Sequence, residues 1–285
     1  MSGNKCNLNC PFCSCSKRDR NLELSYEEIM DIMAKARKLG CESVTITGGG
    51  EPLFHRRIFD VIKGISDLGI EIGLVTNGTL LGTVPTHILS RIVWCRISSG
   101  DDREFTDEYA EMLDGAIERG KNVDWAFSHV VSEKPNYETI TRLIKFANGH
   151  AFTHIRMVLD IFDPKKFRMD RVRAKLKAAG VDDRLVIYQA RDDFVPGQEY
   201  CWISLLKPVI GADGYIYPCC GTQYALSNPA RDYEKLMRMG HVKDLEKICE
   251  SQAHFNGRIC SKCYYSDYNN ALKIMLSTVV HKKFV

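Results

Sequence analysis

Cys6-Asn7-Leu8-Asn9-Cys10-Pro11-Phe12-Cys13 sets three cysteines in a C-x3-C-x2-C spacing. Three thiolates on so short a loop can hold three corners of a cubane iron–sulfur cluster. The remaining iron is then left without a protein ligand, and an open metal position is what a catalytic site keeps and a structural site closes. The plainer alternatives are a zinc loop and a chance cluster in a chain with 12 cysteines. Zinc loops use C-x2-C pairs with a further Cys or His, a pattern this spacing does not follow.

Outward from that loop the pattern is strand and helix in alternation. Ser25-Tyr26-Glu27-Glu28 is a capping box that opens a helix. Ile29, Ile32, Met33 and Ala36 line one face of it, and Gly40 ends it. Thr45-Ile46-Thr47-Gly48-Gly49-Gly50-Glu51-Pro52 follows, a β-branched stretch running into glycines, where the missing Cβ lets a ligand approach the backbone closely. Strands are expected near 43–47, 70–76, 92–97, 123–130 and 152–159. Helices are expected near 57–68, near 105–119, and after Asn136, where Ile140, Leu143, Ile144 and Ala147 make an apolar face. Such alternation argues for an α/β fold with a parallel sheet.

The cysteine loop and the glycine run together resemble the radical S-adenosylmethionine (SAM) superfamily. The resemblance implies that the amino acid end of SAM chelates the unique iron of a [4Fe–4S] cluster held by Cys6, Cys10 and Cys13. Reductive cleavage then yields a 5′-deoxyadenosyl radical that abstracts hydrogen from the substrate. It implies that Phe12 lies near the adenine and that Gly49, Gly50 and Glu51 contact the methionine amino group. It also assigns Ser98 to the SAM carboxylate or ribose, although a serine ending a strand is otherwise an ordinary turn former. The arginine usual about a dozen residues later is absent, with Ala110 and Glu111 in its place, so another cation is needed. Arg156 is the candidate, and Asn77 points toward the same mouth. The implied fold is a (β/α)6 partial TIM-like barrel over residues 1–160. Only five residues precede Cys6, so its first strand is expected to be missing. Cys15 reads as a bystander, and Cys41 and Cys95 as small core residues.

Residues 161–285 follow a different grammar. A basic helix near 168–179 reads as a solvated face. Gly211-Ala212-Asp213-Gly214-Tyr215-Ile216-Tyr217-Pro218 reads as a hairpin turning at Asp-Gly. Cys201 and Cys219 flank it, and Cys260-Ser261-Lys262-Cys263 supplies a C-x2-C pair. Four thiolates suffice for a closed [4Fe–4S] cluster or an all-cysteine zinc site. The order of Cys201, Gly214, Cys219, Cys260 and Cys263 resembles the twitch domain, a shortened SPASM region, which implies a small α+β domain with an auxiliary [4Fe–4S] cluster. Cys220 competes with Cys219, but the spacing from Gly214 favours Cys219. Tyr215, Tyr217, Tyr264 and Tyr265 either shape a substrate pocket or pack around the cluster.

Composition bounds the rest. The net charge of +3 across 285 residues does not suggest a nucleic-acid partner. No apolar run is long enough to span a membrane, and no signal peptide is apparent, so a cytoplasmic enzyme with metal-ligating cysteines is expected. The resemblance extends to the dehydrogenase group of the butirosin pathway, which implies net oxidation of a small polar or carbohydrate-like molecule. A flavodoxin- or ferredoxin-type electron donor goes with it. The alternatives are a maturase that crosslinks or dehydrogenates a short peptide, and a non-catalytic iron–sulfur or zinc module. Peptide maturases commonly add an N-terminal recognition domain, and this sequence opens at its cluster loop, which tilts the expectation to a small molecule.

Overall fold

The structure, a computed structural model, describes residues 3–160, 168–189, 194–222, 225, 233–251 and 255–278. The chain divides into two compact units, Met1–Asp192 and Asp193–Val285.

The first unit is a six-stranded parallel sheet in sequential order: β1 Ser43–Ile46, β2 Glu71–Thr76, β3 Trp94–Gly100, β4 Asp124–Val131, β5 Phe152–Leu159 and β6 Val186–Gln189. The helices are α1 Tyr26–Lys38, α2 Ile58–Asp67, α3 Thr86–Leu89, α4 Asp107–Arg119, α5 Tyr137–Gly149 and α6 Met169–Ala178. This is the α/β partial barrel expected from the sequence. The capping box is formed: Glu28 N–H donates to Ser25 Oγ at 3.1 Å, and Ser25 N–H to Glu28 Oε2 at 2.8 Å. Asn136 caps α5 through Thr139 N–H.

Two expectations need correction. Counting from Ser43 gives six strands rather than five, because Val186–Gln189 pairs with β5 after α6. Its short mixed run, Val186-Ile187-Tyr188-Gln189, carries no clean alternation. The sheet therefore extends the first unit to Asp192, beyond the 160/161 break read from the sequence. Where the missing first strand was expected, Gly3 makes a single antiparallel bridge with Glu23.

Register sorts the sheet into two unlike faces. Ile97, Phe127 and Ile155 are aligned across β3, β4 and β5 and fully buried. Phe127 meets Phe146 of α5 with ring centroids 6.4 Å apart, so this is the face under the helices. The other face aligns Arg96 with Ala126, Ser98 with Ser128, and Ser128 with Arg156, and adds His154. Burial and the charges of Arg96 and Arg156 pull the His154 pKa down.

The second unit has one small antiparallel sheet, β7 Val209–Ile210, β8 Tyr215–Tyr217 and β9 Gly240–His241. The hairpin turns where expected, with Gly214 at φ +76°, a conformation glycine adopts without strain. Asp213 locks the turn by accepting from Tyr215 N–H at 3.1 Å, Tyr217 Oη at 2.6 Å and Arg238 Nη2 at 2.9 Å. Helices α7 Ile203–Leu206, α8 Tyr233–Met237, α9 Leu245–Glu250 and α10 Ser266–Thr278 complete it. Among the described residues no helix is long and apolar enough to cross a membrane.

Candidate metal centres

The three-cysteine loop lies across the C-terminal ends of β1, β2 and β3. At β1, Gly50 N–H donates to Gly3 O at 3.1 Å and Glu51 N–H to Lys5 O at 2.8 Å. At β2, Asn77 Nδ2 donates to Asn7 Oδ1 at 2.9 Å and lies 3.9 Å from Cys6 Sγ. At β3, a Cβ on Gly100 would stand 2.2 Å from the Phe12 ring, so glycine there lets Phe12 lie against the strand end. Within the loop, Cys13 N–H donates to Cys10 O at 3.0 Å and Leu8 N–H reaches Cys6 Sγ at 3.4 Å.

Two of the three thiols are shifted toward the protonated form. Burial, with the neighbouring Asp102 carboxylate, pushes Cys10 up to about 11. Hydrogen bonding with Cys15, then burial, pushes Cys13 up as well. Cys15, read as a bystander, is thus in contact with Cys13. Metal ligation needs the thiolate, so loading must release these protons.

The glycine run packs against the segment that precedes the cysteine loop. A Cβ on Gly50 would stand 1.9 Å from Lys5 O, and one on Gly49 2.0 Å from Asn4 Oδ1. The close approach these glycines permit is to the chain's own segment before Cys6. Glu51 is buried and already committed: its carboxylate accepts from Thr76 Oγ1 at 2.7 Å, Asn77 N–H at 2.6 Å and Leu53 N–H at 3.0 Å. Burial raises its pKa against those hydrogen bonds. Glu51 ties the end of β1 to the end of β2, while Asn4 Oδ1 beside Gly49 is buried with no hydrogen-bond partner among the described residues.

Phe12, Asn77 and Ser98 thus lie at or near the C-terminal ends of β2 and β3. Arg156 belongs to the polar face of β5, aligned with Ser128. Arg103, which sequence reasoning missed, is a cation at the ends of β2 and β3, and Arg18 lies beside Gly49 after β1. Arg103 Nη1 donates to Asn77 O at 2.8 Å and Nη2 to Ser98 O, joining the ends of β2 and β3. The signal was available in Gly100-Asp101-Asp102-Arg103, a charged turn closing a strand. Asp101, in the same turn, accepts from Ser132 N–H, Asn136 N–H and His129 Nε2, and His129 Nδ1 meets Ser99 Oγ at 3.3 Å. His129 is fully buried on the helix side, so this Ser-His-Asp chain is a structural tie without access to substrate.

In the second unit Cys201, Cys219, Cys260 and Cys263 line one cavity, with Tyr264 and Tyr265 in its wall. Each is anchored through its backbone. Cys201 O accepts from Ser204 Oγ at 2.6 Å, and Cys219 O from Thr222 Oγ1 at 2.6 Å. Cys260 O accepts from Gly197 N–H, and Cys263 N–H donates to Val195 O, both at 2.8 Å. Burial first, then the neighbouring Cys220 for one and Cys263 for the other, pushes Cys219 and Cys260 up to about 12. Cys219 lines the cavity, whereas Cys220 is exposed with its sulfur 3.0 Å from Tyr265 Oη. Tyr215 and Tyr217 belong to the Asp213 turn. Among the described residues no three Cys, His, Asp or Glu side chains converge closely enough to bind one metal ion.

Residues 1–92 match the family model of the Radical SAM superfamily. A probable GTP 3′,8-cyclase of Saccharolobus solfataricus is 40% identical over 169 residues, covering 54% of this chain and 53% of that protein. The GTP 3′,8-cyclase of Alkaliphilus oremlandii is 36% identical over 116 residues, covering 39% and 36%. The chain thus spans about half, or less, of the length of these curated relatives. Streptococcus suis SuiB bound to the precursor peptide SuiA superposes with a TM-score of 0.62 at 17% identity, covering 96% of this chain and 72% of SuiB. SuiB bound to S-adenosylmethionine gives 0.61 at 18%, covering 96% and 73%. At such identity the likeness is one of fold. The matched segment, residues 1–92, contains both the cysteine loop and the glycine run packed against it, and it is this part of the chain that is similar to the radical SAM superfamily.

Proposed function

We propose that the protein is a SAM-dependent radical oxidoreductase with two [4Fe–4S] clusters, acting on a small polar molecule. The observation behind it is the seating of the cysteine loop on the C-terminal strand ends, where parallel α/β sheets present their chemistry. The donor set fits a cluster: three partly buried thiols, with N–H groups of Leu8 and Asn77 facing Cys6. Asn4 Oδ1, buried beside Gly49, offers an acceptor to the ammonium group of SAM. Cys6, Cys10 and Cys13 would hold the catalytic cluster, with Phe12, Asn77 and Ser98 around SAM and Gly49, Gly50 and Glu51 fixing the loop that presents it.

When bound, the first cluster with SAM supplies one-electron cleavage and hydrogen abstraction, and the second supplies a one-electron acceptor. A flavodoxin- or ferredoxin-type donor would supply the starting electron. Cys201, Cys219, Cys260 and Cys263 would hold the second cluster, in a twitch-like domain spanning the second unit. A ring of thiols around a cavity suits a four-iron body, whereas one zinc draws its sulfurs to about 2.3 Å from a single point. The polar sheet face carrying Ser98, Ser128, His154 and Arg156 supports a polar substrate. A second reading, a peptide substrate, is favoured by the fold shared with SuiB, which was solved with its precursor peptide. The cyclase relatives add nucleotides to the substrates worth screening.

The decisive experiment replaces Cys6, Cys10 and Cys13 together with Ala. Reconstituted variant should keep about four irons per chain and form no 5′-deoxyadenosine; continued SAM cleavage would overturn the assignment. With a substrate in hand, deuterium from one substrate carbon should enter 5′-deoxyadenosine. A product at unchanged oxidation level would reject the oxidation and leave the radical chemistry standing.

A further inference from the structure

We infer that Asn269 is a positioning residue for the second cluster: its side-chain amide donates an N–H···S hydrogen bond to Cys263 and so sets the reduction potential of the group the four cysteines hold. The inference rests on the four-cysteine reading above and adds to it a residue outside the ligand pattern.

Asn269 is only 2% exposed and lines the same cavity as the four cysteines. A buried primary amide requires partners for both ends. Its oxygen is taken: Ile203 N–H donates to Asn269 Oδ1 at 3.1 Å. That fixes which way the amide faces, because the reversed orientation would set two donors against each other. Nδ2 therefore points to the sulfur of Cys263, 3.8 Å away. The same side chain interacts with the Cys201 sulfur. The backbone is pinned as well, with Asn269 N–H donating to Tyr265 O at 2.8 Å near the start of α10. One amide thus links the first turn after Cys201 to the C-x2-C pair, across 66 residues of sequence.

An N–H aimed at a ligating sulfur stabilises negative charge there. Reduction adds negative charge to the cluster, so the donor favours the reduced form and raises the potential. The plain structural alternative is that Asn269 serves only as an acceptor for Ile203 N–H. Aspartate would do that equally well, having the same shape and an oxygen in the same place. Asn269→Asp keeps the acceptor and turns an oxygen, instead of an N–H, toward sulfur; since its charge alone would also lower the potential, the 15N coupling described below is what separates the two roles.

The test uses the full-length chain carrying the Cys6, Cys10 and Cys13 to Ala changes, reconstituted anaerobically so that only the second cluster contributes. Asn269→Asp should retain iron and shift the midpoint potential to more negative values in an EPR-monitored titration. An unchanged potential with iron retained overturns the inference and leaves the four-cysteine cluster intact. If the parent variant binds no iron, the four-cysteine reading falls and the inference with it. Whether or not Asn269→Asp loads, asparagine labelled with 15N in its side chain, in the otherwise unchanged parent, decides the matter. A 15N hyperfine coupling on the reduced cluster upholds the hydrogen bond, and its absence overturns it.

Discussion

The two units reach stability by opposite routes. The first buries a continuous apolar layer between sheet and helices, and its cysteine loop lies outside that layer, along the strand ends. All of the largest fully buried side chains among the described residues lie in this unit, from Ile62 to Leu143. The second has strands of only two or three residues. Its buried cluster is Tyr217, Ala225 and Met237, with Cys260 packed against them. Small domains with too little core lean on disulfides or metal, and here the cysteines stand where core would be. In the first unit the fold makes the site; on the proposed reading, a cluster held by the four cysteines would in turn hold much of the second unit together.

Removing iron tests that contrast most severely. Chelation of the reconstituted protein should abolish amide-exchange protection in α10 and in Val209–Tyr217, while β2 to β5 keep theirs. Equal loss in both units, or in neither, would break the comparison. A cavity in the first unit should act in the reverse sense. Phe127 is fully buried and stacks on Phe152 at 4.5 Å. Phe127→Ala should cost about 3–5 kcal/mol in denaturant unfolding of the first unit and leave the iron of the second unit in place.

The sequence made the first unit legible because its signals are local and repeated. Capping at Ser25 and Asn136, the apolar faces of α1 and α5, and the bounds of β5 all stand as read. β6 was not legible: four residues of mixed polarity become a strand only by pairing with β5. The four cysteines grouped by spacing in the second unit do line one cavity, and their role as ligands belongs to the proposal. The groups that surround the cysteines were less legible. Arg103 could have been found from the charged turn it closes, but Asn4 and Asn269 act through contacts made by folding, and nothing around them in sequence marks those partners. At Gly50 the sequence signalled close approach without naming everything that approaches, and the chain's own Lys5 carbonyl is one such neighbour.

Gly50→Ala sharpens that last point. A methyl group would meet the Lys5 carbonyl, a backbone atom that cannot rotate away. The segment before Cys6 should lift from β1, costing about 1–3 kcal/mol by overpacking. The Gly50 and Glu51 amides should lose exchange protection, and iron at the first site should fall while the second unit's iron holds. Loss of SAM binding with both amides still protected would instead place the ligand, rather than the chain's own segment, against this glycine.

The smallest effect expected is a dependence on acid that both units share. Asp101 in the first and Asp213 in the second are each partly or wholly buried. Burial alone would raise their pKa values. For Asp101 that push is outweighed by His129 and the N–H groups of Ser132 and Asn136, and for Asp213 by Tyr217, Tyr215 N–H and Arg238, so both are lowered. A carboxylate lowered on folding contributes stability above the ordinary Asp value of about 3.9 and loses it as pH falls through the lowered folded value. Each unit should therefore weaken only at pH below about 4. Asp101→Asn should flatten the acid limb of the first unit's unfolding curve and Asp213→Asn that of the second, measured by exchange mass spectrometry unit by unit. At neutral pH each variant should be the less stable, since a neutral amide replaces the carboxylate that the surrounding donors favour. If Asp213→Asn also flattened the acid limb of the first unit, the two units would not unfold independently, and the contrast between them would have to be redrawn as one cooperative structure.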